Sequence, residues 1–346
     1  MSKASELRRL QQVGSSTLTI SIPAQYTKDH GLQKGDNIIV REDVDGTLRL
    51  IPEAGAQRST SASIKGDLVE SEELLSRMII GCYMLGYDSI ELVSKQGFSE
   101  SQLTRVSRTL RGLRGVEVVE SSNSRLLAQS FMDPTKFPVD SLIRRLQVLV
   151  SRSLQGSIRA LRGESPEVLN EIRRIQQEID ELYWLIVRQL LVALSNREIS
   201  GKIGLESPLH TSGDRVSAKT IEEIGRIILE VTEEIINFRE TGRKVDEGVL
   251  AGIEALANGA RDAFDATMAS LLTPDMRTIR KAMETIDNAV RLEKEVMLQF
   301  VELEYPNVRG IISDFGQLAR YCSIIIEIAL NRLLRKTSRV CTVASQ

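Results

Sequence analysis

The stretch RRLQQVGSSTLTISIPAQYTKDHGLQKGDNIIVREDVDGTLRLIPE, residues 8–53, decides how this chain is read. Leu18, Ile20 and Ile22 alternate with Thr17, Thr19 and Ser21, the period of a half-buried strand. Pro23 stops that strand and opens a short helix over 24–30, because its fixed φ suits a first helical turn. Gly31 ends the helix. Lys34-Gly35-Asp36 is a turn, and 37–41 is the next strand, with Ile38 and Val40 on one face. Asp45-Gly46 signals a tight hairpin, and Leu48 and Leu50 alternate in a last strand that stops at Pro52. Four short strands in about fifty residues build a poor core alone, so this head needs a partner.

Outward from the head, GAQRSTSAS at 55–63 is a small, polar, Ser-rich linker. Residues 71–85 read as a helix, 89–93 as a strand, and 101–113 as a helix started by Ser99 or Ser101. Residues 116–120 and 125–131 read as a strand pair. This small α/β module carries no phosphate loop and no catalytic constellation. From 139 onward the pattern is helical: 140–161, then a helix capped by Ser165-Pro166-Glu167 and running to about 194, a loop over 195–214, and a helix over 216–238. A second set follows at 246–272, 274–303 and 308–334. Six long amphipathic helices in two sets of three form an internal repeat at roughly 100 residues.

Composition bounds the rest. A length of 346 residues suits two or three domains, and 4% aromatics suits Leu/Ile/Val-packed helices. The net charge of −2 announces no global field for nucleic acid. Charge is uneven, however: residues 101–163 hold eleven Arg or Lys against four acids. Either these are solvated helix faces balanced by the acidic segment that follows, or they form a basic surface for phosphate, nucleic acid or an acidic partner. Cys82, Cys322 and Cys341 are too widely spaced for a disulfide framework or a zinc pattern. With only His30 and His210, a His-based metal site or a catalytic triad is not expected. Residues 1–9 are polar and no apolar leader follows. The longest apolar runs, such as 323–330, fall far short of the ~20 residues that span a bilayer, so a cytoplasmic location is expected.

The head resembles the AbrB/SpoVT swapped-hairpin family. The resemblance is carried by Gly14, Ser16, Thr17, the Ser21-Ile22-Pro23 step, Gly31-Leu32, Gly35-Asp36, Asp45-Gly46, Leu48 and Pro52. It implies an intertwined homodimer that binds DNA. Arg8 and Arg9, at the start of the first strand, sit where the family places basic DNA contacts, and Lys28, Arg41 and Arg49 complete the candidate set. Arg41 and Arg49 face each other across the hairpin in the expected register. The family's common basic residue after the Ser-x-Pro step is Ala24 here. The head holds seven basic and seven acidic residues, so it must segregate its charge to bind phosphates.

The two helix triplets resemble the PhoU family of tandem three-helix bundles. The carrying segments are 178–183 and 221–226 in the first triplet, and 312–314, 318–323 and 326–332 in the second. A head and body of these two kinds look like the archaeal phosphate-uptake regulators. PhoU bundles usually present E/D-x-x-x-D on facing helices, because carboxylates at i and i+4 share one face and several together make an oxygen site for hard cations. Here Asp180 has Gln176 at i−4, Glu222 has Arg226 at i+4, and the last helix has Ala319 and Ser323 at the matching positions. Arg226 is spaced to pair with Glu222 instead. Asp180 and Glu222 are the weak metal candidates, and no cofactor is expected.

The fold expected is multidomain and mainly α. It comprises a β head for dimerisation and DNA binding (1–54), an α/β module (64–133) and two three-helix bundles (138–240 and 244–338). The leading functional expectation is a non-enzymatic, DNA-binding regulator of phosphate uptake acting as a homodimer. The alternative is an adaptor that docks on a phosphate transporter or signalling protein, with the head used only for oligomerisation. A third, a carboxylate-bridged metalloenzyme, lacks the paired ligands it needs.

Overall fold

The computed structural model describes residues 6–42, 46–53, 60–164, 167–205, 208–242, 246–299, 306–335 and 341–342. Asp45 of the hairpin signal and Ser165-Pro166 of the expected cap lie outside the described residues, as does most of the 55–63 stretch. The chain divides into two compact units, with the boundary after Ser59.

The first unit holds two antiparallel hairpins and one short helix. Strands β1 (Gln11–Val13) and β2 (Thr17–Thr19) pair with Val13 opposite Thr17. Helix α1 (Ala24–His30) follows Pro23 and ends at Gly31, whose φ of 64° is the left-handed cap that glycine adopts without strain. Strands β3 (Ile38–Glu42) and β4 (Leu48–Pro52) pair with Arg41 opposite Arg49. The Tyr26 hydroxyl donates to the Leu50 carbonyl at 3.2 Å and ties α1 to β4. Among the described residues of this unit, only Pro52 is buried.

The second unit begins with a four-stranded sheet in the order β5-β6-β8-β7. Strand β5 (Ser61–Lys65) runs parallel to β6 (Ser89–Val93), joined through helix α2 (Glu72–Met84). Its first three residues fall in the stretch expected to be a linker. Ser-Ala-Ser carries little strand signal, and only Ile64 of β5 is buried. Helix α3 (Glu100–Arg111) starts at a full capping box, in which the Ser99 hydroxyl accepts from the Gln102 amide while the Gln102 side chain accepts from the Ser99 amide. Strands β7 (Val116–Ser121) and β8 (Arg125–Ser130) close the sheet. Leu75, Ile79 and Tyr83 of α2 and Val106 and Leu110 of α3 pack on Ile90, Leu92, Leu126 and Ala128 of the sheet.

Six long helices follow: α4 (Val139–Leu161), α5 (Glu167–Ser195), α7 (Pro208–Glu240), α8 (Glu247–Leu272), α9 (Met276–Gln299) and α10 (Pro306–Leu334). The expected loop over 195–214 is largely helical. It contains the short α6 (Arg197–Lys202) and the first two turns of α7, which opens on Pro208. The two triplets pack as one body: α4 lies against α8 and α7 against α10, and a single apolar core runs through all six. Phe264, Phe315, Leu154 and Ile179 are fully buried in it.

The sheet module is locked to α5 by buried polar contacts. Arg188, 6% exposed, donates to the carbonyls of Tyr83 at 2.8 Å and Tyr87 at 2.9 Å, and its guanidinium lies 5.0 Å from the Tyr83 ring centre. Gln189 donates to the Pro134 and Phe137 carbonyls. Asp88 stands 3.5 Å from the same guanidinium, so moving the module off α5 would strip a buried charge of both its carbonyl acceptors and its carboxylate.

Candidate functional site

The expected DNA-contacting residues all lie in the first unit. Arg8 and Arg9 are in the extended segment before β1, and Arg8 pairs with Glu6. Lys28 is exposed in the last turn of α1. Arg41 and Arg49 are directly opposed on β3 and β4, as the sequence register predicts. Like charges at opposed positions oppose pairing, and an anion between them reverses that cost.

The same unit exposes large apolar side chains: Leu10 (64%), Val13 (57%), Leu18 (61%), Ile20 (54%), Ile39 (43%), Val40 (59%) and Leu48 (67%). Full burial of each is worth about 1.5–3 kcal/mol. The alternation expected of a half-buried strand is present in the residues, but among the described residues of this unit nothing buries them.

In the bundle, Asp180 of α5 and Glu222 of α7 do come together. Glu222 is 2% exposed and receives Lys219 Nζ at 2.5 Å and the Arg226 guanidinium. The i,i+4 pairing of Glu222 with Arg226 follows the sequence spacing. Asp180 accepts from Gln176 Nε2 at 2.8 Å, and Arg226 stands 3.9 Å away. Burial pushes the Asp180 carboxyl up to about 6, and the neighbouring Glu222 adds to the shift. Gly225 leaves room for the Gln176 side chain, since a Cβ there would meet Gln176 Oε1 at 2.7 Å. The positions that would complete an oxygen shell are thus an amide and a guanidinium, and the guanidinium already occupies Glu222. This donor set does not fit a metal ion. Among the described residues no three His, Cys, Asp or Glu side chains stand close enough to hold one.

A second carboxylate cluster escaped the sequence reading. Glu230 and Glu234, one turn apart on α7, face Asp314 of α10, and burial together with its two neighbours pushes Asp314 up to about 6. The i,i+4 spacing of Glu230 and Glu234 was the available signal. Only the packing of α7 on α10 adds Asp314 to it.

The basic stretch over 101–163 does not stand as one patch. Most of its arginines are matched by acids: Arg145 by Glu178 at 3.7 Å, Arg152 by Glu171 at 2.7 Å, Arg159 by Glu171 at 3.0 Å and Arg162 by Glu254. Arg114 pairs with Glu181 at 3.3 Å and Arg125 with Glu91 at 2.8 Å.

Residues 143–235, which take in most of α4 together with α5, α6 and most of α7, match the PhoU domain family. Residues 11–58 match the family described as antidote-toxin recognition MazE, bacterial antitoxin. The chain joins a MazE/AbrB-like head to a PhoU-like helical body. No curated protein and no solved structure matches it. The PhoU match ends near the close of the first triplet, so the second triplet is placed by its packing on the first. Among the described residues, no helix is long and apolar enough to cross a membrane.

Proposed function

We propose that this protein is a non-enzymatic, cytoplasmic regulator of phosphate uptake that acts as a homodimer and binds DNA through its head. The carrying observation is that the head exposes eight large apolar side chains, Leu7 among them, and buries only Pro52 of its described residues, while its sequence matches the MazE antitoxin family. A second copy supplies the missing cover. Two-fold pairing also doubles Arg8, Arg9, Lys28, Arg41 and Arg49, so a head with no net charge gains basic surface for a pseudo-palindromic site. The PhoU-like body supports phosphate as the regulated process.

The test is fluorescence anisotropy of the full-length protein on its own promoter and on random duplex across a salt series. The expected result is preferential binding whose log affinity falls linearly with log salt. In the Arg8→Ala/Arg9→Ala chain the slope should drop by about 3 to 4, from four lost phosphate contacts per dimer. A stable dimer that binds its promoter no better than random duplex overturns the DNA reading. It would leave an adaptor whose head only pairs chains and whose body docks on a transporter or signalling protein.

A further inference from the structure

A groove of about 770 Å³ runs between helices α2 and α3 of the sheet module and helices α5 and α7 of the bundle. Arg188 ties the module to α5 through its bonds to the Tyr83 and Tyr87 carbonyls, and Gln189 ties the connector at Pro134 and Phe137 to the same helix. Along the α3 wall stand Arg105, Arg108 and Arg111, and Trp184 of α5 lines the same space. Trp184 is the only tryptophan in the chain.

The charge in this groove is sorted. Its carboxylates already have cations: Glu181 has Arg114, Glu222 has Lys219 and Arg226, Asp180 has Arg226 at 3.9 Å, and Glu73 has Arg77 at 2.7 Å. Arg108 and Arg111 of α3 are the exception. Both are exposed and form no ion pair among the described residues. Arg105 donates Nε to the Ser76 hydroxyl at 3.3 Å and lies in the field of Glu73, which is itself paired with Arg77; among the described residues its two amino groups make no hydrogen bond. Ser76 is itself buried and held by Thr109 Oγ1 at 3.0 Å, so the Arg105 guanidinium is aimed before any ligand arrives. On α4 the arginines are mostly paired; on α3 three like charges at i, i+3 and i+6 repel one another with no acid between them. The favourable field at the helix C-terminus covers only the last turn, and Arg105 lies outside it.

We propose that this groove binds a small anion carrying two or more linked phosphoryl groups, held by Arg105, Arg108 and Arg111, with Trp184 at its side. Guanidinium forks fit phosphoryl oxygens in pairs, which favours phosphate over a simple carboxylate. The three arginines span about 9 Å of helix axis, the reach of a chain of charges and more than a single phosphate ion covers. The volume suits a nucleoside triphosphate or a short polyphosphate. Both present linked phosphoryl groups to α3. The inference stands on this groove alone and does not depend on DNA binding by the head.

The position of Trp184 supplies the readout. Full-length protein is titrated with tripolyphosphate, ATP, inorganic phosphate and adenosine, following Trp184 emission and, in parallel, the heat of binding. The expected result is saturable binding of tripolyphosphate, of ATP or of both, weakening with salt, with inorganic phosphate at least about tenfold weaker. ATP binding much tighter than tripolyphosphate identifies a nucleotide as the ligand; the reverse order identifies a polyphosphate chain. The Arg108→Ala/Arg111→Ala chain should keep its melting temperature and lose at least about tenfold in affinity, whereas the head variant Arg8→Ala/Arg9→Ala should be unchanged. No saturable signal or heat with tripolyphosphate and ATP overturns the proposal. So does equal affinity for inorganic phosphate, or an Arg108→Ala/Arg111→Ala chain that is folded and binds as before.

Discussion

The head and the body treat the same kind of side chain in opposite ways. In the body, Ile, Leu and Phe residues from six helices disappear into one continuous core. In the head, Leu18, Ile20, Ile39 and Val40 are each about half exposed or more. Both regions have the periodicity of structured protein. The difference lies in closure: six helices enclose their own stripe, while two short hairpins and one helix have too little surface to do so. A region that is patterned for burial and yet exposed is specified for a partner.

The largest expected effect sharpens this contrast. Phe264 is fully buried, and Phe264→Ala should cost about 3–5 kcal/mol, visible as a fall in the denaturant midpoint at every protein concentration. Ile39→Ala should leave that midpoint alone and raise the concentration at which the dimer dissociates, read by light scattering on dilution. An Ile39→Ala chain that unfolds like the Phe264→Ala chain would mean the head has a core of its own.

A similar loss, reached by charge, is expected at the junction of the triplets. Arg332 of α10 binds the buried Asp214 of α7 at 2.5 Å and the Leu271 carbonyl of α8 at 2.9 Å. Arg332→Ala strands Asp214, which is 2% exposed, and should cost about 3–5 kcal/mol. Arg332→Ala/Asp214→Leu should recover most of that, because the cost belongs to the orphaned carboxylate. Equal losses in the two chains would assign the penalty to packing.

Sequence pattern and fold agree most closely where periodicity runs long. The helix over 246–272 is observed as Glu247–Leu272, and the strand over 89–93 as Ser89–Val93. It fails where a residue has two meanings. Residues 195–214 read as a loop, yet Pro208 begins α7 and Gly213 lies within it. At Gly213 α10 comes close, since a Cβ there would meet Ile328 Cγ2 at 2.8 Å. Such a glycine is set by a helix more than a hundred residues away, and no local window contains that information. The same holds for the groove. Arg105, Arg108 and Arg111 were countable as charges, but which arginines would find acids depended on where Glu171, Glu178 and Glu254 came to lie. Asp180 and Glu222 were legible as candidates from the resemblance to PhoU bundles, and the Glu222–Arg226 pair from its i,i+4 spacing. The convergence of Asp180 and Glu222, and the pressure it puts on Asp180, belongs to the packing.

That pressure gives the smallest effect and the one with the clearest sign. Burial pushes Asp180 up to about 6 in the folded chain, from 3.8 when solvated. Between those values the folded chain keeps a proton that the unfolded chain has released. Stability therefore falls as pH rises through this window and carries the full penalty above it. Asp180→Asn fixes the side chain in a neutral form that still accepts from Gln176 and can donate to Glu222, as the protonated acid does. It should raise the melting temperature at pH 7.5 and make little difference near pH 3, where Asp180 is mostly protonated in both states. A gain of equal size at both pH values would mean that packing, and not charge, is responsible. A loss at pH 7.5 would mean that the attraction between Asp180 and Arg226 across 3.9 Å outweighs the burial of the carboxylate.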